Sequence, residues 1–166
     1  MVAHLTLVLG GARSGKSFHA EALVTALPPP WVYVATAEAL DDEMRERVEN
    51  HRARRAAGWQ TVEAPLDFRG ALATDRPVLV DCLTLWLTNI LLAEHDIAAA
   101  TAVLETALEA RTAPTVLVAN EVGLGIVPEN ALARKFRDAA GRLNQRLAAR
   151  ADSVLFLVAG LPMRVK

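Results

Sequence analysis

Residues 10–17 read Gly10-Gly11-Ala12-Arg13-Ser14-Gly15-Lys16-Ser17, and no other stretch limits the fold so tightly. The spacing is G-x-x-x-x-G-K-S. The apolar run Leu5-Thr6-Leu7-Val8-Leu9 before it reads as a buried strand, and Ser17 to Val24 after it as a helix. Glycines let the connecting loop wrap so that backbone N–H groups converge on one point. The helix N-terminus adds partial positive charge there. The ligand that suits such a loop is a phosphate. Lys16 is placed to reach the β- and γ-phosphates, and Ser17 to set its hydroxyl on Mg²⁺. The motif predicts a nucleotide site on an α/β fold and leaves the reaction open.

The rest of the chain alternates in the way such a fold requires. Pro28-Pro29-Pro30 stops the first helix, and Trp31 to Ala35 reads as a second strand. Leu40 to Arg55 reads as a charged helix, with Asp41, Asp42 and Glu43 in its first turn, where the dipole favours acids. Trp59–Glu63, Val78–Val80, Thr115–Ala119 and Ser153–Val158 read as strands. Leu83–Glu94, Ala98–Arg111 and Glu129–Ala151 read as helices. Continuous apolar strands separated by helices predict a mostly parallel sheet covered on both faces, as one domain over residues 1–166. Ligands in such sheets sit beyond the strand carboxyl ends, here Gly10, Ala35-Thr36, Glu63, Asp81 and Asn120.

Composition narrows the class. The net charge of −1 gives no global field for nucleic acid or an anionic membrane, and no basic–aromatic interleaving suggests a nucleic-acid platform. The apolar stretch from Cys82 to Ala93 is too short to span a bilayer. A single cysteine forbids an internal disulfide. The first strand begins almost at once, leaving no room for a signal peptide, so a cytoplasmic location is expected.

Three further segments carry chemistry. Asp81 ends an apolar strand where a second acid can orient Mg²⁺ directly or through water; an N-cap of the following helix is the competing reading. In the helix over 40–55, Leu40, Met44, Val48, His51 and Arg55 share a face, and Arg47 and Arg54 flank His51. An imidazole among guanidinium groups suits contact with, or attack on, a phosphate. Spacing alone favours a solvated helix whose apolar stripe His51 closes. Asn120 to Pro128 holds Gly123 and Gly125 and reads as a loop near a ligand or as a tight connection.

Taken in order, these segments resemble one family over essentially the whole chain. It is the bifunctional adenosylcobinamide kinase/adenosylcobinamide-phosphate guanylyltransferases of cobalamin biosynthesis. The resemblance rests on residues 10–17, Tyr33-Val34-Ala35-Thr36-Ala37, Asp41-Asp42-Glu43-Met44, His51-Arg52, Trp59 to Glu63, Asp81 to Trp86 and Asn120 to Pro128. It implies a P-loop, RecA-like fold and two reactions. A nucleoside triphosphate, ATP or GTP, phosphorylates adenosylcobinamide; GTP then donates GMP to adenosylcobinamide phosphate through a guanylylated histidine, which His51 matches. It also implies nucleotide contacts at the P-loop, at Ala35, Thr36 and Ala37, at Arg52, Ala53, Arg54 and Arg55, and at Glu63 and Asp81. Lys16 is then catalytic with His51, and Ser17 and Asp81 serve Mg²⁺. Some members carry Glu at the position of Asp81. A homo-oligomer, a trimer, is implied as well. Two other readings remain. A monofunctional P-loop kinase would need Lys16 and Ser17 but not His51, and a RecA-like ATPase module would need a polymer-binding element.

Overall fold

The computed structural model describes residues 4–38, 45–46, 49–50, 53, 55 and 57–166. Seven strands form one sheet: β1 (Leu5–Gly10), β2 (Trp31–Ala35), β3 (Trp59–Glu63), β4 (Val78–Asp81), β5 (Thr115–Asn120), β6 (Ser153–Val158) and β7 (Leu161–Arg164). Among the described residues the continuous helices are α1 (Lys16–Thr25), α2 (Arg69–Leu72), α3 (Leu83–Leu92), α4 (Ile97–Glu109) and α5 (Ala131–Arg150). The strand order is β3-β2-β4-β5-β1-β6-β7, parallel throughout except for β7.

Strand residues alternate between two cores, as the period of a strand requires. Val8, Tyr33, Leu79, Val116 and Val118 face α1 through Ala20 and Val24. Leu7, Val34, Val78, Val80 and Leu117 face the other layer, where Leu83, Leu87, Leu104, Leu143 and Leu147 meet them from α3, α4 and α5. Strands buried on both sides explain the unbroken apolar runs of β4 and β5.

The layers place the site. The chain leaves β1 through α1 on one face toward β2, whereas α5 on the opposite face leads into β6 beside β1. The sheet therefore changes direction at the carboxyl end of β1, and a crevice opens there. That is where residues 10–17 lie.

Most element bounds agree with expectation to within two residues. The helix expected from Leu40 to Arg55 falls largely outside the described residues; of those described within it, 45, 46, 49, 50 and 53 are helical. Two elements depart from expectation. α2 is a single turn set up by Asp67, which accepts from the backbone N–H of Arg69 at 3.0 Å. β7 pairs antiparallel with β6 through Ala159 and Gly160, both at positive φ (51° and 80°). Two such residues make the hairpin turn that matches strand twist. Pro162 is tolerated because β7 is an edge.

Candidate active site at the carboxyl ends of the strands

The P-loop grows from the end of β1, and Gly10 and Gly15 are sterically required where they stand. A Cβ on Gly10 would lie 2.5 Å from Ser14 Oγ and 2.8 Å from the carbonyl oxygen of Leu157. Gly15 caps α1 at φ 91°, a conformation side chains resist. The β6–β7 turn braces the loop from outside, Gly160 N–H donating to the Ser14 carbonyl at 2.9 Å. Lys16 opens α1 and is buried; its Nζ donates to the carbonyl of Gly11 at 2.5 Å and lies 3.5 Å from Ser14 Oγ. Burial pulls the Lys16 pKa down, and the Asp81 carboxylate pulls it partly back up. Asp81 thus supports the lysine's charge across the crevice.

Asp81 ends β4, in register with Ala35 and Val118. Its Oδ2 accepts from the Tyr33 hydroxyl at 2.8 Å. Burial, with the Asp81 charge next, drives the Tyr33 pKa far upward, so the phenol remains a donor. Asp81 does not cap α3. Cys82 holds that position, its Sγ accepting from Leu85 N–H at 3.5 Å, which leaves the Asp81 carboxylate at the strand ends. Burial pushes the Cys82 thiol up to about 11, so it is a protonated packing residue.

Thr36 is fully buried, and its polar groups are engaged. The hydroxyl donates to the carbonyl of Cys82 at 2.6 Å and accepts from Cys82 N–H at 2.9 Å, while the carbonyl accepts from Asn89 Nδ2 at 2.8 Å. Thr36 therefore ties the β2 end to the β4 end, and its hydroxyl is not free for a ligand. Ala35 beside it is buried, and Glu63 ends the edge strand β3 opposite Ala35.

Arg55 marks the far wall. Its guanidinium sits 3.5 Å over the Tyr33 ring and donates to Thr61 Oγ1 at 2.8 Å, while its Nε is buried without a partner among the described residues. Glu21 on α1 completes this group; burial raises its pKa, Arg55 lowers it and Asp81 raises it. Ala53 is exposed. His51, Arg52 and Arg54 lie outside the described residues.

The structure so joins residues 10–17, Lys16, Asp81 and Arg55 around one crevice. Two members were not among the expected site residues, although Glu121 lies in the Asn120–Pro128 segment read as a loop near a ligand. Tyr33 reads as one more apolar strand residue, and only its register opposite β4 exposes its role. Glu121, directly after β5, donates its backbone N–H to the Gly10 carbonyl at 3.0 Å. It lines a cavity of about 450 Å³ with residues 11–14, Leu124 and the end of β6. A separate apolar hollow of about 290 Å³, between Phe68, Trp86 and Leu104, shares no residue with it.

A phosphate-binding loop at the switch point of a parallel sheet, with a carboxylate one strand beyond its neighbour, defines a P-loop nucleotide-binding protein of the RecA-like kind. Solved structures agree on this fold. The flagellar accessory protein FlaH of Methanocaldococcus jannaschii matches with a TM-score of 0.55 at 13% identity, covering 99% of this chain and 80% of that one. A type III secretion ATPase of pathogenic bacteria also matches at 0.55, with 9% identity, covering 97% of this chain and 56% of that one.

Within that class the chain belongs to the cobinamide kinase/cobinamide phosphate guanyltransferase family, whose model matches residues 6–165. The bifunctional adenosylcobalamin biosynthesis protein CobU of Salmonella typhimurium is 45% identical, covering 98% of this chain and 99% of its own. CobP of Pseudomonas aeruginosa, described in the same words, is 46% identical, covering 96% of each.

Proposed function

We propose that this chain carries both reactions of its family on one nucleotide crevice, residues 1–166 acting as one domain. A nucleoside triphosphate first phosphorylates the hydroxyl of adenosylcobinamide. GTP then gives its GMP to the resulting phosphate and releases pyrophosphate. The observation that supports this most is the buried Lys16 at the mouth of a P-loop, facing Asp81 across the β1 crevice.

The donor set suits Mg²⁺, which takes oxygen ligands from one or two protein groups plus substrate phosphates. The Asp81 carboxylate, fixed by Tyr33, and the Ser17 hydroxyl supply such oxygens. Among the described residues no group of three or more His, Cys, Asp or Glu forms a denser cage. Bound there, the ion would neutralise charge developing on the phosphate oxygens.

The chain's own groups do the rest. Residues 10–15 turn their backbone N–H groups to the phosphates, and Lys16 exchanges its bond to Gly11 for phosphate oxygens. Attack at the γ-phosphate makes the reaction a kinase; attack at the α-phosphate expels pyrophosphate. His51 is the proposed nucleophile for the second, forming a phosphorus–nitrogen bond to GMP that the corrinoid phosphate then breaks. Arg52, Ala53, Arg54, Arg55, Ala35, Ala37 and Glu63 are the proposed walls around the nucleotide. Arg55 has the clearest support, since its buried Nε lacks a partner among the described residues. GTP or ATP serves the first step and GTP the second. No described helix is long and apolar enough to cross a membrane, and a cytoplasmic homotrimer is the proposed working form.

Supplying adenosylcobinamide, Mg²⁺ and GTP to the purified chain tests the reading. Adenosylcobinamide-GDP and pyrophosphate should appear in equal amounts, with adenosylcobinamide phosphate as a transient. A product that stops at the phosphate would show a monofunctional kinase. Light scattering reports the assembly, expected at three times the mass of one chain.

A further inference from the structure

We propose that Glu121 is the proton acceptor of the kinase step, taking the proton of the acceptor hydroxyl as its oxygen attacks the γ-phosphate. The inference rests on the kinase reading above and adds a residue to it.

The geometry begins at Lys16. Its Nζ donates to the Gly11 carbonyl at 2.5 Å, so Gly11 marks the end of the loop where a P-loop lysine meets the β- and γ-phosphates. The cavity of about 450 Å³ starts at that end, running from residues 11–14 to Leu124, Val158 and Ala159. Glu121 is the carboxylate in its wall. The other acids at the strand ends are placed differently. Asp81 is bonded to Tyr33, and Glu63 ends β3, with β2, β4 and β5 between it and β1.

The carboxylate is also held. Its Oε1 accepts from the Gly123 N–H at 2.6 Å, while the backbone N–H of Glu121 is fixed to Gly10. A second observation concerns Gly123 itself. A Cβ there would lie 2.9 Å from Glu121 Oε1, whereas at Gly11 and Gly125 it would meet nothing within 4 Å. A side chain at 123 would push the Glu121 carboxylate aside, and the apolar Leu124 and Val158 line the same cavity.

The chemistry calls for such a group in one half-reaction only. An alcohol is neutral at pH 7. As its oxygen forms a bond to the γ-phosphorus, the bond to the bridging oxygen breaks and the nucleoside diphosphate leaves with the electron pair. The hydroxyl proton passes to the second carboxylate oxygen of Glu121 and then to water. In GMP transfer the acceptor is a phosphate monoester, already ionised, and needs no base.

The test assays the two half-reactions separately on the full chain. Glu121→Gln keeps an oxygen for the Gly123 N–H and loses basicity. Its kinase kcat should fall by about 10²–10⁴-fold, with KM for nucleotide and acceptor within about twofold. The loss in GMP transfer to preformed adenosylcobinamide phosphate should be at least about tenfold smaller than the loss in kinase kcat. Gly123→Ala displaces the carboxylate at the tip of a flexible side chain. It should lower kinase kcat by about 10–100-fold with the melting temperature unchanged. A Glu121→Gln kinase near the wild-type rate, or an equal loss in both half-reactions, overturns the proposal. A wild-type chain that phosphorylates no adenosylcobinamide overturns the functional reading and this inference with it.

Discussion

Replacing Asp81 with Asn removes one negative charge and little else, so its consequences can be worked from the contacts. Asparagine still offers an oxygen to the Tyr33 hydroxyl, which now donates 2.8 Å to Oδ2 of the carboxylate. A charge-assisted bond becomes a neutral one, at a cost of about 1 kcal/mol. For a domain of this length that lowers the melting temperature by roughly 2–4 °C. The effect on catalysis is larger. A divalent ion and a carboxylate about 4 Å apart attract by about 2 kcal/mol even at the dielectric of water, or roughly thirtyfold in Mg²⁺ affinity. A second effect falls on Lys16. Burial lowers its pKa and Asp81 offsets part of that, so without Asp81 the lysine loses its proton at lower pH. The alkaline limb of the kinase kcat should therefore move to lower pH. Mg²⁺ titrations of kinase rate at several pH values, beside a thermal melt, read all three effects. An unchanged Mg²⁺ midpoint and alkaline limb, with a large drop in melting temperature, would refute the reasoning and leave Asp81 as a packing partner of Tyr33.

The remaining predictions are briefer. Lys16→Ala should remove most phosphorylation of adenosylcobinamide at saturating nucleotide, by roughly 10²–10³-fold for one lost transition-state contact, read by a corrinoid product assay. Gly10→Ala should force Ser14 and the Leu157 backbone apart, with a strain of about 1–3 kcal/mol and weakened triphosphate binding by calorimetry. Glu105→Gln should lower the melting temperature, because the buried Glu105 carboxylate receives Arg146 at 2.7 and 2.5 Å across α4 and α5. The hydrogen bonds from Arg146 hold the Glu105 pKa below its ordinary value. Its stabilising effect is therefore complete above the ordinary glutamate range and lost as pH falls through the lowered value. The gap between wild type and variant should close in acid melts.

What the sequence discloses follows the length of its signals. Residues 5–24 carry strand, loop and helix in one local pattern, so the P-loop was legible in full. β4 and β5 were legible because burial on both faces leaves an unbroken apolar run. β7 was not: its turn is Ala159-Gly160 rather than Asn-Gly, and its side chains are exposed, so neither turn chemistry nor alternation marks it. Asp81 shows the limit at the site. Spacing allowed both a metal acid and a helix cap, and the structure gives the cap to Cys82. Tyr33 and Glu121 escaped for a related reason. Their roles arise from register across β2–β4 and β1–β5, which no local pattern encodes. Thr36 matches the family motif at a strand end, yet its hydroxyl is taken up by Cys82.

The covalent GMP–His51 intermediate proposed above would be a stop between the two chemistries, and α-labelled GTP reads that stop directly. Wild-type chain incubated with it and then denatured should retain label that is labile to acid and stable to alkali, as a phosphorus–nitrogen bond is. His51→Ala should retain none and should lose GMP transfer while still phosphorylating adenosylcobinamide, since the γ-phosphate chemistry relies on Lys16 and the P-loop. Label that persists in His51→Ala would name another nucleophile. Loss of both activities in a folded His51→Ala chain would contradict the division of labour between the P-loop and the histidine.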